Sequence, residues 1–599
     1  MSSRKKWTSV FSLLMVAVMV LAGCGATAEP QVVKEVVTQI VVETVKETVV
    51  VEGKTEVVEK EVTKVVEVEK VVEVEKVVEV VVTPTLEPTK APSTEPVYGG
   101  EFRAAQASVP ATLDTMSTSS SATSGVTNMV METLVAFGED FDIIPMLAES
   151  WELSDGDKTY TFHLREGIKF HDGSDMTAED VVASITRFLD VTARSSVFEV
   201  MESYEAIDDY TVVTKLKNPS AGWLGTIAST SSALVIQPKE VIEGKGLGEL
   251  AVPDDIVGTG PYQLVEYVPD QYAVLTRFED YQSLPGERDG LGGGKIAYFD
   301  KVRIDFVPEA GARLAGLEVG DYDWIDNPST SDVGVINASP DVELVIIHPA
   351  NGGYIIFNAS EQMPFSSDVK FRQAVLAALD MEALGMAFTG GHSDLFDLNS
   401  SLWPPETTWY IDDEFANEQY NQNNPEKAME LLEEAGYNGE EIVIATFNRE
   451  SWTRIMLTLA SQLGEVGIKT KVELYDWPGI FAKWAEETGW HISFTQNNSF
   501  QLLDPGAAAV MWACGSTHPV NAHYCNPDME EAFAVLSAAT NLEEYKAALV
   551  PIQRLFYEDL PNIKTGENHI LEAIRSEIKG YRGFGRGGTY RFYGVWRQE

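Results

Sequence analysis

The chain has 599 residues and a mass of 65.8 kDa, which is enough for several domains with a large buried core. Its hydrophobic fraction of 44% and its ordinary glycine and proline content exclude a wholly disordered, collagen-like or polytopic membrane protein. The formal net charge of −48 would repel a phosphate polymer, so nucleic acid is excluded as a partner.

Residues 1–23 have the pattern of an export signal. A basic start is followed by an apolar run over residues 10–21, which is too short for a transmembrane helix of ~20 residues. The run ends in Leu-Ala-Gly-Cys, which resembles the lipobox of bacterial lipoproteins. The resemblance implies cleavage before Cys24, acylation of its thiol, and an extracytoplasmic protein anchored to the outer face of the cell membrane. An ordinary signal peptide with a chance cysteine is the alternative.

Residues 24–96 predict a low-complexity spacer that ends in a proline-rich linker. Val, Glu, Lys and Thr dominate, and the hexapeptide of residues 65–70 recurs at residues 71–76. This period is neither a heptad nor a solenoid repeat. Val favours strands whereas Glu and Lys favour helices, so the pattern leaves the conformation open. A coiled-coil oligomerisation segment is the alternative to a plain spacer.

The remaining chain mixes strands and helices. Apolar residues alternate at Tyr160, Phe162 and Leu164, which predicts a half-buried strand. Thr177 and Asp180 then resemble a capping pair before a helical stripe over residues 181–189. Further on, a strand at 442–447, a helix at 452–463 and a strand at 468–474 have the size of a parallel strand–helix–strand unit. The predicted fold class is α/β, with mixed α+β character.

The sequence offers no motif for catalysis. It contains neither Gly-x-Ser-x-Gly nor His-Glu-x-x-His, and the glycine-rich stretch at 290–295 lacks the first glycine and the Ser or Thr of a phosphate-binding loop. We therefore predict no catalytic residue, no cofactor and no metal ion.

Two cysteines remain after Cys24 is set aside. Outside the cell Cys514 and Cys525 would oxidise, so we predict one disulfide that closes a short loop. A zinc site built from these two thiols with His518 and His523 is the alternative, although the spacing fits no standard zinc finger.

Several blocks of the body resemble, in order, the bacterial solute-binding proteins of family 5, which are peptide- and nickel-type binding proteins of ABC importers. The most specific block runs through residues 150–162, 164–173 and 177–182. Matching blocks follow at residues 258–262, 357–358, 365–380, 424–437 and 463–468. The resemblance covers residues 97–599.

This resemblance implies a two-lobed clamp that closes on its ligand. The first lobe is discontinuous and is expected at residues 97–307 plus 571–599, with an extra subdomain at about 132–250. The second lobe is expected at residues 308–570. The implied function is a lipid-anchored, monomeric, non-enzymatic protein that delivers an oligopeptide or another small polar solute to ABC permease subunits. The alternatives are an oligosaccharide binder of the same family, a secreted peptide or glycan hydrolase, and a structural surface lipoprotein.

One departure from the family bears on the ligand. In the oligopeptide binders an aspartate shortly before an Asp-Pro pair holds the peptide amine. Counting back from Asp504 and Pro505 places Gln501 at that position and Asn498 at the family's tryptophan. A neutral amide forms hydrogen bonds but no ion pair with an ammonium group, which favours an uncharged peptide or an oligosaccharide. Nickel is disfavoured because the matched cleft segments carry no obvious histidine. The residues expected to line the ligand cleft are Gln106, Tyr354, Asn358, Asn497, Asn498, Gln501 and Trp512.

Overall fold

The computed structural model describes residues 34–51, 54–71, 95–192, 198–230, 232–497, 505–516, 519–585 and 589–598. The chain divides into two units, residues 1–89 and residues 90–599. Within the described ranges no helix is long and apolar enough to cross a membrane. Cys24, Asn498 and Gln501, which carry predictions made above, lie outside the described residues.

The described part of the first unit is a β-hairpin. Strand β1 (Lys34–Val51) pairs antiparallel with β2 (Lys54–Val71) along its whole length, from Lys34 opposite Val71 to Val51 opposite Lys54. The many valines and threonines account for this choice, because β-branched residues favour strands. The coiled-coil alternative is therefore wrong for these residues.

The second unit begins with elements that surround a first apolar core. In chain order they are β3 (Glu101–Gln106), α1 (Ser121–Thr127), β4 (Val135–Phe137), β5 (Ile143–Pro145), β6 (Ala148–Ser154), β7 (Thr159–Leu164), α2 (Ala178–Val191), β8 (Met201–Asp208), β9 (Thr211–Leu216), α3 (Trp223–Ala228), α4 (Lys239–Ile242), β10 (Tyr262–Val268), β11 (Tyr272–Arg277), β12 (Arg288–Asp289), β13 (Gly292–Gly293) and β14 (Lys301–Phe306). Strand β7 is the half-buried strand predicted from the alternation. Helix α2 begins where the capping pair predicts, with the Thr177 amide donating to the Asp180 carboxylate at 2.8 Å.

The chain then continues through elements that build a second core and return to the first. They are α5 (Ala310–Val319), β15 (Trp324–Asp326), α6 (Val333–Ala338), β16 (Val342–Phe357), α7 (Val369–Ala378), α8 (Met381–Thr389), β17 (Phe396–Asp397), α9 (Glu414–Gln419), α10 (Pro425–Glu434), β18 (Glu441–Phe447), α11 (Glu450–Glu465), β19 (Lys469–Tyr475), α12 (Trp477–Trp484), β20 (Ile492–Asn497), α13 (Ala509–Trp512), α14 (Pro527–Ala538), α15 (Leu542–Asp559), β21 (Asn562–Arg575), β22 (Ile578–Lys579) and β23 (Trp596–Arg597). The predicted strand–helix–strand unit is β18, α11 and β19, with the two strands parallel.

One mixed sheet runs through both cores. Its strand order is β10-β11-β14-β3-β15-β21-β16-β20-β18-β19, and β17 pairs with β21 beside this path. A separate four-stranded antiparallel sheet, in the order β6-β7-β9-β8, lies within the expected subdomain. Strands β16 and β21 pair antiparallel along most of their length and contribute to both cores. On β21, Ile574 packs in the first core and Ile563 in the second, and on β16 Val345 packs against the first core and Tyr354 in the second.

The first core extends further along the chain than residue 307. Trp324 of β15 is fully buried there, with its ring 4.5 Å from Tyr590 and 5.1 Å from Phe592. The second core contains Tyr354 and the residues that follow it on β16. We therefore place the change of lobe within β16 rather than at residue 308. Ile578, Phe584, Phe592 and Val595 pack in the first core, as the discontinuous first lobe requires.

Candidate ligand-binding cleft

The junction between the lobes lies where β16 and β21 lose their regular pairing. Ile347 is opposite Ile570 and the next paired residue is Asn351, opposite Asn568, so β16 carries extra residues here. Nearby, Gly566 has φ +127°, and a Cβ at that position would lie 2.7 Å from the Asp397 carbonyl oxygen. Such irregularities bend a sheet locally and leave backbone groups unpaired. The two strands thus connect the lobes through a stretch with fewer ladder hydrogen bonds.

The two lobes also touch each other directly. The Thr408 hydroxyl of the second lobe donates to the Asp142 carboxylate of the first at 2.9 Å. The Ala221 amide of the first lobe donates to the Ala539 carbonyl of the second at 3.3 Å. Each such hydrogen bond contributes only about 1 kcal/mol to stability, so these contacts can form when the lobes approach and break when the lobes separate.

On the first lobe, Gln106 ends β3 and is fully buried. Its Nε2 donates to the Ser108 carbonyl at 2.6 Å and to the Ala122 carbonyl at 3.1 Å, which fixes the loop after β3 against α1. Its Oε1 is buried and has no hydrogen-bond partner among the described residues. A Cβ at Gly125 would lie 2.3 Å from this oxygen and 2.6 Å from the Tyr590 ring, so a larger residue there would have to displace both side chains.

Two buried carboxyl groups face each other across β15 and β21 beside Gln106. Asp326 accepts hydrogen bonds from the Tyr590 hydroxyl and from the Ala107 amide, each at 2.7 Å. Glu572 accepts from Trp324 Nε1 at 3.1 Å and from the Tyr581 hydroxyl.

Burial raises the pKa of both carboxyl groups, and that of Glu572 reaches about 8, although the hydrogen bonds from Tyr581 and Trp324 oppose the shift. Glu572 is therefore largely uncharged at neutral pH. Both carboxyl groups hold strand ends and the C-terminal segment together.

The second-lobe residues expected in the cleft lie along neighbouring strands. Tyr354 is buried on β16. Asn497 is the last residue of β20 and pairs with Gly352 of β16, so the backbones of Tyr354 and Asn497 lie on neighbouring strands. Asn358 is fully buried, and its Nδ2 donates to the carbonyl groups of Glu486 and Trp490.

Trp512 is also buried, and its Nε1 donates to Asn562 at 2.8 Å. These hydrogen bonds indicate that Asn358 and Trp512 stabilise the second lobe itself. Contact of either residue with a ligand stays a prediction.

Cys514 and Cys525 are joined in a disulfide that links residues 11 apart in sequence. A bonded pair of sulfurs has no thiolate to offer a metal ion, so the zinc alternative for these cysteines does not fit this structure.

One cavity lies away from this junction. A volume of about 500 Å³ lies between α2 and α4, and its lining includes Glu179, Arg187, Lys239 and Lys245. All of its lining residues belong to the first lobe, so it is not a space between the lobes.

The interlobe contacts and the two buried carboxyl groups were not predicted from the sequence. Asp142 and Thr408 are 266 positions apart, and neither lies in a recognisable motif. Tyr581 and Tyr590 lie in the basic, aromatic C-terminal segment, whose composition alone does not show that it packs against β15 and β21.

Comparison with known proteins agrees with this architecture. The family model for bacterial extracellular solute-binding proteins, family 5, matches residues 142–518. The probable peptide ABC transporter periplasmic-binding protein y4tO of Sinorhizobium fredii is 28% identical over 467 residues, which are 75% of this chain and 85% of that protein. Heme-binding protein A of Haemophilus influenzae is 30% identical over 479 residues, covering 74% of this chain and 82% of that protein.

A solved structure shows the same fold. The periplasmic binding protein DppA of Helicobacter pylori, in complex with the peptide STSA, superposes with a TM-score of 0.69 at 22% identity, covering 84% of this chain and 99% of that one. The predicted mixed α/β, two-lobed fold is thereby confirmed. The chain belongs to the bacterial extracellular solute-binding proteins of family 5.

Proposed function

We propose that this protein is a lipid-anchored, monomeric, non-catalytic binding protein that captures a peptide between its lobes and delivers it to an ABC permease. The observation that carries the proposal is the pair of separate apolar cores connected through β16 and β21, with the lobes also in contact through Asp142 and Thr408. A ligand that touches both lobes favours the closed arrangement by the free energy of the additional interactions that it makes there.

A peptide is the ligand that the relatives favour. The relative y4tO is named as a probable peptide transporter component, and the DppA structure holds a four-residue peptide. The amide of Gln501 replaces the family's amine-binding carboxylate, so we propose that the peptide is held without an ion pair to its amino terminus. Gln106, Tyr354, Asn497, Asn498 and Gln501 are the proposed contacts. Oligosaccharide binding is the alternative that a cleft of amides would also suit.

The absence of catalysis is part of the proposal. The pair Asp326 and Glu572 has the composition of the paired carboxyl groups of a hydrolase, but both are buried and hold strands together through hydrogen bonds. A general acid or base needs access to the bond that reacts. A hydrolase remains the competing class that the binding experiment tests.

The ligand is tested by calorimetry and thermal unfolding of the full-length chain, purified from membranes in detergent. The panels are free-amine peptides, the same peptides N-acetylated, oligosaccharides and hemin. We expect similar affinities for the free and acetylated peptides, with stabilisation of about 2.7 kcal/mol at a hundred times Kd. Gln501→Asp should raise the affinity for free-amine peptides about tenfold, whereas Gln271→Asp, in an exposed turn, should not.

The outcomes separate the alternatives. Stabilisation by oligosaccharides alone would replace the peptide with a sugar, and cleavage products in the mass spectrum would indicate a hydrolase. No response in any panel would overturn the proposal. The anchor is tested separately, because acylation adds a lipid mass to the peptide that begins at Cys24, and Cys24→Ala should release the protein from the membrane fraction.

A further inference from the structure

A cluster of metal-ligating side chains lies at the lobe junction. The ligand atoms of His348, Asp397 and His569 all fall within 4.8 Å of one another. His569 Nε2 is 2.8 Å from Asp397 Oδ2, and His348 Nδ1 is 3.8 Å from the same oxygen. The two imidazole rings are 3.9 Å apart, centroid to centroid. Ligands of a tetrahedral Zn²⁺ ion, each about 2.0 Å from the metal, are about 3.3 Å apart, so small side-chain adjustments suffice.

We propose that His348, Asp397 and His569 form a binding site for one divalent transition-metal ion of the Zn²⁺ class, which links β16, β17 and β21 where the two lobes join. Two imidazoles with one carboxylate suit late first-row metals better than Mg²⁺ or Ca²⁺, which prefer oxygen ligands. Such a set leaves at least one coordination position for water or another ligand.

The hydrogen bonding of His569 supports this site. Its Nδ1 is 3.3 Å from the Asp394 carbonyl oxygen, and its Nε2 faces the Asp397 carboxylate. Both neighbours are acceptors, so a neutral imidazole can donate to only one of them. If Nδ1 donates to the carbonyl oxygen, Nε2 presents its lone pair to a carboxylate unless a cation lies between them. A backbone carbonyl that orients the far nitrogen is also the usual support of a metal-binding histidine.

The surrounding charge also favours a cation. Glu406 interacts electrostatically with Asp397, His569 and Glu567, so two further carboxyl groups lie around this cluster. The Glu567 carboxylate is neutralised by Lys564 at 2.7 Å, whereas the ion pairs of Asp397 within the described residues are those with His348 and His569. His348 and Asp397 are exposed, so an ion can reach the site from solvent.

The position gives the site a consequence for the clamp. His348 lies in the stretch of β16 between Ile347 and Asn351 where pairing with β21 is irregular, and His569 lies between the opposing residues. An ion held by both strands would replace missing ladder hydrogen bonds with metal–ligand bonds. We expect it to stiffen the junction about which the lobes move.

The test is titration of the full-length, metal-stripped chain with Zn²⁺ by calorimetry and with Co²⁺ by visible absorption. We expect one Zn²⁺ per chain and the d–d bands of Co²⁺ bound by nitrogen and oxygen ligands. His348→Ala, His569→Ala and Asp397→Asn should each lower Zn²⁺ affinity at least about tenfold, and excess Mg²⁺ or Ca²⁺ should not compete.

Two controls make the test specific. His163→Ala removes a histidine of an exposed His–Glu pair on the first lobe and should leave binding unchanged. The Cys514→Ser/Cys525→Ser double variant excludes binding by reduced cysteines and should also bind normally. The side chains of His348 and Asp397 are exposed whereas that of His569 is buried, so circular dichroism without metal verifies that each variant is folded. Absence of stoichiometric binding, or binding unaffected by all three site variants, would overturn the proposal and leave an ordinary His569–Asp397 ion pair.

Discussion

At the scale of single residues, Glu572 makes stability depend on pH. Burial raises its pKa from 4.5 to about 8 in the folded chain. Below the unfolded value the group is protonated in both states and has no effect. Between about pH 4.5 and about pH 8 only the unfolded chain releases the proton, so Glu572 lowers the free energy of unfolding by up to about 1.4 kcal/mol per pH unit.

Glu572→Gln removes this titration and keeps an oxygen for Trp324 Nε1 and the Tyr581 hydroxyl. We expect the difference in stability between variant and wild type to grow in favour of the variant from about pH 5 to about pH 8. Denaturant unfolding at several pH values measures it. A difference that is constant with pH would show that Glu572 has an ordinary pKa in the folded chain.

Local residue patterns explain which individual predictions could be made. Thr177 and Asp180 are three positions apart, so a short segment of sequence is enough to predict their capping contact and the start of the helix. His348 and His569 are 221 positions apart and meet only because β16 and β21 pair. No spacing rule applies to residues that the topology brings together, so the sequence did not indicate that the two histidines are neighbours.

At the scale of elements, a buried ion pair fastens α2 to the segment before α1. Arg187 donates two hydrogen bonds to Asp114, at 2.6 and 3.0 Å, and the two side chains are 3% and 1% exposed. Arg187→Met leaves the Asp114 carboxylate buried without its partner, which should cost about 3–5 kcal/mol of stability.

A matched comparison isolates burial as the cause. Lys169→Met breaks the exposed pair with Asp175, whose nitrogen–oxygen distance is 2.7 Å, and should cost at most about 1 kcal/mol. The Asp114→Leu/Arg187→Met double variant removes both buried charges and should recover much of the loss. Equal losses for the buried and exposed pairs, measured by urea unfolding, would contradict the argument.

Strands that pack in a single core were predictable from their apolar pattern, whereas a strand that runs from one core into another was not. Strands β7, β18 and β19 show a clear apolar pattern, and their limits agree with the prediction within a few residues. Strand β16 has apolar runs at 342–347 and 354–357, separated by His-Pro-Ala-Asn-Gly-Gly, which is the pattern of two strands and a turn. In the structure it is one strand whose ends pack in different cores, so the lobe boundary could not be read from composition.

At the scale of the whole binding unit, the direct contacts between lobes determine how readily the clamp closes. The Thr408 hydroxyl reaches the Asp142 carboxylate across the two lobes. Thr408→Glu would place a second carboxylate at this point. Like charges at hydrogen-bonding distance repel each other by about 1 kcal/mol or more, and the repulsion is screened by salt.

We therefore expect Thr408→Glu to shift the lobes towards the open arrangement. Small-angle scattering of the ligand-saturated chain should show a larger radius of gyration, and the affinity for the ligand found in the binding panel should fall about fivefold or more at low salt. Thr470→Glu adds the same charge on the edge strand β19, within one lobe, and should change neither quantity. If both variants behave alike, the Asp142–Thr408 contact does not control closure, and resistance to opening must come from the junction strands β16 and β21.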